Sequence, residues 1–292
     1  MFDWIIGGTT YSLDDGTYCY IQSHSGMGMM PVRRLEQRGP QQNGVSDRGY
    51  RLDERTIIMQ LYVPGSTYSD LYDKRTSLLS MFKARDTAGK LRFSLGSTSR
   101  EIQAHYIGDS LGMDDDAFTG FTKPVAIALR CPDPRWYDPT INTSEFSLGG
   151  GSNTFVVPFE VPFNVGSSTI DITRTVTYSG NIKSYPTIRI TGPITDPVIT
   201  HGQTGYKLDF TGITIAAGDW YEIDLGYAGN TVEDDAGTNK IADLTTDSDL
   251  VDFAIEADPD VTGGVNSINV TGSSVSEATE IMITYYDYYL GI

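Results

Sequence analysis

The 292 residues carry 38 acids against 21 bases, a net charge of −17, and only 39% of them are hydrophobic. That length allows one large domain or two ordinary ones. No apolar run reaches the ~18 residues of a membrane helix, and two cysteines without a CxxC pair build neither a disulfide framework nor a thiolate metal site. The opening MFDWIIGGTTYSL has an acid where a secretory signal needs bases, and its apolar stretch is short. The chain therefore reads as unsecreted by that route.

TYCYIQ (17–22), MPVRRLEQ (30–37) and YRLDERTIIMQLYV (50–63) alternate in side-chain character and are predicted strands. RGPQQNGVSDRGY (38–50), with Gly39-Pro40 and Asn43-Gly44, is a turn-rich connection. SDLYDKRTSLLSMFKAR (69–85) is the one predicted helix, placing Leu71, Arg75, Leu78, Leu79 and Phe82 on one face. Ser69 is its expected N-cap, with Asp70 and Asp73 at the start and Lys83 and Arg85 at the end. Strands resume at LRFSL (91–95), EIQAHYIGDSL (101–111) and KPVAIALRC (123–131), with MDDDAFTG (113–120) as a turn. Cys19 and Cys131 are expected to be buried free thiols.

CPDPRWYDP (131–139) follows. Pro132, Pro134 and Pro139 lack backbone donors and force extended geometry on their predecessors, while Trp136 and Tyr137 supply packing surface. These five residues are read as a stiff interdomain joint. Charge divides there too. Residues 1–135 hold 16 acids and 16 bases, whereas residues 136–292 hold 22 acids and 5 bases and so carry the whole −17. Two bodies are expected, 1–135 and 136–292, and an acidic second body is a poor nucleic-acid ligand.

Beyond the joint lie FVVPFEVPFNV (155–165), TIDITRTVTYSG (169–180), YPTIRITGPI (185–194), YKLDFTGITIAAGDWYEIDL (206–225), DFAIEA (252–257), INVTG (268–272) and EIMITYYDYY (280–289). Short strands with turn residues between them, and no helix, predict an antiparallel sandwich. The chemistry is sparse. His24, His105 and His201 are scattered and form no HExxH, there is no GxSxG, and GMGMM (26–30) lacks the spacing of a phosphate loop. The acid clusters DDD (114–116), EDDAGTN (233–239), DSDLVD (247–252) and DPD (258–260) match no calcium loop and suit turn capping. No catalytic residue, cofactor or metal is assigned. Trp220 and Tyr221 are the candidate sugar-stacking aromatics, against the plainer role of sheet packing.

Three stretches in fixed order carry a resemblance: PVRRLEQRGPQQNGVSDRGYRLDERTIIMQLYV (31–63) with the helix after it, the strand ending in CPDPRWYDP, and YPTIRITGPITDPVITHGQTGYKLDFTGITIAAGDWYEIDL (185–225). Together they resemble the distal tail proteins of long-tailed, siphovirus-type bacteriophages and prophages. The resemblance implies a mainly β, non-enzymatic protein of two domains. An N-terminal β-rich domain with one helix would form a hexameric ring at the tail tip in the virion, assembled in the host cytoplasm. A C-terminal galectin-like sandwich would sit outside it. Implied partners are the tail tube, tail hub and tape-measure proteins and receptor-binding or side-fibre proteins, with genomic DNA passing through the lumen unbound and no membrane insertion.

The residues agree with that picture in one respect. A closed ring needs complementary patches on two sides of each subunit, and the electroneutral, arginine-rich first half can supply them. Arg33, Arg34, Arg48, Arg51 and Arg55 are the ring-interface candidates. A tail-tube subunit is a second structural reading, which the two-part charge split disfavours. A carbohydrate-binding module acting through the sandwich is the alternative from another class.

Overall fold

The computed structural model describes residues 1–108, 122–147, 168–227 and 229–292. It divides into two compact units, Met1–Pro139 with Tyr289–Ile292, and Thr140–Tyr288. The expected turn at 113–120 and strand at 155–165 lie outside the described residues.

The first unit runs β1 (Phe2–Ile6), β2 (Thr9–Ser12), β3 (Tyr20–Ser25), β4 (Val32–Gln37), β5 (Ser46–Leu52), β6 (Arg55–Pro64), α1 (Tyr68–Met81), β7 (Gly89–Leu95), β8 (Thr98–Tyr106), β9 (Thr122–Cys131) and the start of β10 (Trp136–Ser147). Its pairings are antiparallel. One path runs β2-β1-β7-β8-β10 and another β3-β6-β9-β8, so β8 belongs to both. β6 shows why the sequence makes a strand here. Ile57, Met59, Leu61 and Val63 are fully buried, while Thr56, Ile58, Gln60 and Tyr62 between them face out, the period of two a half-buried strand requires. The inward set packs with Phe2, Trp4, Leu78, Phe82, Leu91, Ile127 and Trp136 in one apolar cluster. Each fully buried aliphatic contributes about 1.5–3 kcal/mol.

The predicted helix is shorter than expected. It spans Tyr68–Met81, and Thr67 rather than Ser69 caps it, its hydroxyl accepting from the Asp70 N–H at 3.1 Å. The Asp70 carboxylate in turn accepts from the Ser66 N–H at 2.8 Å, so orphan donors at the helix start are satisfied from both sides. Leu71 and Leu78, two turns apart, are buried with Met81 and Phe82, but Leu79 sits a residue round from that line and is exposed. Lys83 and Arg85 lie past the helix end, from where Arg85 Nη2 donates to the Ser80 carbonyl of the last turn at 3.4 Å. The expected strand 50–63 is two strands, and Ser46–Tyr50, expected as turn, is strand.

The second unit contains the rest of β10, then β11 (Thr169–Thr177), β12 (Thr187–Thr191), β13 (Ile194–His201), β14 (Lys207–Asp209), β15 (Thr214–Ile215), β16 (Trp220–Asp224), β17 (Thr231–Asp234), β18 (Val265–Ser273) and β19 (Glu280–Tyr289). One sheet orders β17-β16-β12-β19-β10, the other β11-β18-β13-β14 with β15 on β13. In β12, β16 and β19 alternate residues are buried. Their inward side chains, Ile188, Ile190, Ile223, Ile281 and Ile283, share one core with Ile199, Leu208, Ile268 and Val270 from the other sheet, a sandwich-like arrangement. DFAIEA forms no strand beyond a single bridge, Ser184 to Ile255, although Phe253 and Ile255 are fully buried. An apolar run of that length is core, and nothing local obliges it to join a ladder.

Candidate functional site

Four of the five candidate arginines come together on one element. Among the described residues β4 and β5 pair only with each other, forming an antiparallel hairpin arm in which no residue from Val32 to Leu52 is buried. Arg33, Arg34, Arg48 and Arg51 lie on it with Arg38, against only Glu36 and Asp47, a net of +3 over residues 32–52. In register, Arg33 faces Arg51, Arg34 faces Tyr50 and Glu36 faces Asp47. Arg34 makes an exposed ion pair with Asp47 at 3.3 Å and lies 5.8 Å from the Tyr50 ring centroid. Arg48 Nε donates to Gln37 Oε1 at 2.9 Å.

Arg55 does something else. It is 1% exposed, so its charge is not offered at a surface, which corrects its grouping with the other four. Its Nη1 donates to the carbonyls of Gly26 at 3.1 Å and Gly28 at 2.8 Å, and its Nη2 to that of Leu290 at 2.7 Å. Burial lowers its pKa below the usual guanidinium value, partly offset by Cys131. Arg100 repeats the arrangement, with Nη1 on the Gly291 carbonyl at 2.6 Å and the guanidinium 3.8 Å over the Tyr289 ring. Ile292 N–H donates to the Met27 carbonyl. Two glycines are required at this latch. Gly26 has φ 83°, and a Cβ there would stand 2.1 Å from the Thr56 carbonyl oxygen, while one on Gly291 would stand 2.7 Å from that of Gly28. The latch closes where the chain enters the arm, through 26–31, and leaves it, at 53–55. Nothing in the sequence around Arg55 marks its partners, one of which lies 235 positions away.

A second buried charge was not foreseen. Glu101 on β8 stands in one cross-strand row with Arg92 of β7 and Tyr137 of β10. Arg92 Nε and Nη2 reach its Oε1 at 2.8 and 2.6 Å, Tyr137 Oη donates to Oε2 at 3.1 Å, and Lys90 Nζ is 3.3 Å from Oε2. Tyr137 is thus a ladder residue. Of the expected joint, Pro132 and Pro134 occupy the bend between β9 and β10, whereas Trp136, fully buried, Tyr137 and Pro139 are inside β10 and within the first unit. Cys19 and Cys131 are free and buried, and burial first of all pushes both thiols up to about 12.

Both candidate sugar-stacking rings have contacts of their own. Trp220 carries the Arg189 guanidinium 4.2 Å over its ring, held there by Glu222 at 2.7 Å. Tyr221 is buried, donates to Asp243 at 2.8 Å, and burial and that bond raise its pKa to about 12. His201 is buried, accepting from Thr204 N–H at Nδ1 and donating from Nε2 to Asn266 at 2.8 Å. Among the described residues no three His, Cys, Asp or Glu side chains are grouped to hold a metal ion. Two of the acid clusters close turns, Asp234 accepting from Ala236 and Thr238 and Asp258 from Gly263, while 114–116 lies outside the described residues.

Residues 7–116 match the family described as phage tail protein RIFT-related domain. Over the whole chain, the fold is similar to that of the SPP1 Dit protein, described as a paradigm of hub adsorption apparatus in Gram-positive-infecting phages. The match has a TM-score of 0.64, 16% identity and 99% coverage of both chains. Residues 7–116 thus carry a phage-tail domain, and the chain as a whole has the fold of the SPP1 Dit protein. A chain of the phage P2 baseplate in its calcium-activated conformation matches at TM-score 0.47 and 12% identity, over 97% of this chain and 98% of that one. The strontium form matches at 0.43, again with 12% identity. No curated protein sequence matches the chain.

Proposed function

We propose that the chain is the subunit of a ring at the distal end of a phage tail, which joins the tail tube to the tip or baseplate and serves as a hub for host-adsorption proteins. The observation that carries this reading is the fold match to the SPP1 Dit protein along 99% of both chains, supported by the phage tail domain in residues 7–116. The first body, about residues 1–135, makes a hexameric ring around a channel through which genomic DNA passes without specific binding. The second, 136–292, is a galectin-like sandwich directed outward, with the proline-rich segment 131–139 as the joint. Its partners are the tail tube, tail hub and tape-measure proteins and the receptor-binding or side-fibre proteins.

Charge supports that arrangement. Exposed arginines at a protein contact can pair bidentately with carboxylates, and Arg33, Arg34, Arg48 and Arg51 are the exposed set. Acidic second bodies crowded around a bore would repel one another at modest salt. Mass photometry of the purified protein with negative-stain micrographs tests the reading. Annuli of six copies with peripheral lobes are expected, and single particles at every concentration would overturn it.

A further inference from the structure

We infer that the β4–β5 arm is a self-association contact in which the arginine rung of one copy meets the carboxylate rung of the next. The arm has the wrong pairs for an element that lives alone. Arg33 lies directly across from Arg51 and Glu36 directly across from Asp47, and like charges facing each other across a ladder destabilise it. A two-stranded hairpin without a covered face is marginal in water even when its pairs are favourable. Among the described residues Arg33, Arg51 and Glu36 have no ion-pair partner, and Asp47 has only the exposed Arg34.

The two rungs are opposite in sign and lie on opposite faces. Val32, Arg34 and Glu36 alternate along one face of β4, and Arg33 points to the other. The register then puts Glu36 and Asp47 on the face that also carries Val32, Arg34, Tyr50 and Leu52, and Arg33 with Arg51 on the reverse. A second copy of the same arm presents the charges each rung lacks, and stacking one face on the other's reverse is a heterologous contact that propagates until it closes. The occupant is another copy rather than nucleic acid because the chain as a whole carries −17, which repels phosphate and leaves carboxylates in excess on every copy. The inference deepens the ring reading and rests on it for closure.

The test is a charge swap read by analytical ultracentrifugation of the full chain. R33E/R51E makes both rungs acidic, and E36R/D47R makes both basic. Each variant alone is expected to raise the concentration of half-assembly on the order of a hundredfold, while an equimolar mixture of the two assembles as the wild type does. Recovery in the mixture also shows that both variants are folded. Assembly of either variant alone at wild-type concentrations, or a mixture that stays dissociated, would overturn the arm contact and leave the ring reading standing. A wild-type chain that never associates would overturn both. Loss of binding to a short duplex DNA by R33E/R51E with assembly intact would assign the arm to nucleic acid and overturn the self-contact.

Discussion

The two units handle charge in different ways. Counted from the sequence, Met1–Pro139 with Tyr289–Ile292 holds 17 acids and 16 bases, and Thr140–Tyr288 holds 21 acids and 5 bases, net charges of −1 and −16. The first unit takes arginines inside: Arg55 and Arg135 are buried with Glu101, and they bond to carbonyls, to Asp133, and to cations and a phenol respectively, with Arg55 Nε left unpartnered. The second unit buries two carboxylates, Asp209, which accepts from Lys207 and Thr211, and Glu256, but no arginine among its described residues; its strands share an isoleucine-rich core, and Asp234 and Asp258 cap turns. The difference is one of chain separation. The first unit must retain Tyr289–Ile292 beside segments more than 190 positions earlier, and a guanidinium with several donors can fasten carbonyls where no ladder runs.

Removing the latch should break this comparison most visibly. Arg55→Ala takes the shared charged donor from three part-buried carbonyl bonds and is expected to destabilise the first unit by about 3–5 kcal/mol. Denaturant unfolding followed through Trp4 and Trp136 in a Trp220→Phe background would read that unit alone. Ile283→Ala should cost about 2–5 kcal/mol through cavity formation in the second core and leave the Trp4 and Trp136 transition where it was. If either substitution moved both transitions equally, the units would be unfolding as one body.

Smaller effects sharpen the account of the first unit. Glu101→Gln keeps the shape of the row but leaves Arg92 and Lys90 facing a neutral amide, a loss of about 1.5–3 kcal/mol in the same assay. Thr67→Ala should cost about 1 kcal/mol through the lost helix cap. The Asp70 carboxyl titrates below its ordinary 3.8, chiefly because the Ser66 backbone N–H bonds its charged form. A lowered folded value means that its contribution is complete above the unfolded value and disappears as the pH falls through the folded one. Asp70→Asn should therefore flatten the acid limb of stability below about pH 4, and an unchanged limb would show that the capping carboxylate adds nothing.

Much of the strand content was legible because alternation is a local signal. β6, β9, β12 and β19 can be read directly from their side chains, and the helix from its apolar repeat. Its boundaries were less legible, since Thr67 and Ser69 are both competent caps and only the hydrogen bond to the Asp70 N–H selects between them. The arm's arginines were visible as a cluster, but Arg55 was indistinguishable from them in sequence although it is turned inward. The like-charge rungs depend on a register with a bulge between Arg34 and Glu36, which no periodicity specifies.

By itself the sequence determined a mainly β chain with one helix, an electroneutral front and an anionic rear, because periodicity and charge are properties of residue order. Tertiary structure alone decided that Arg55 holds Leu290, that Glu101 gathers Arg92, Lys90 and Tyr137, and that Arg33 faces Arg51. Those pairings join residues brought together by strand register and chain return, and the free energy of such contacts depends on a distance in space that sequence separation does not encode.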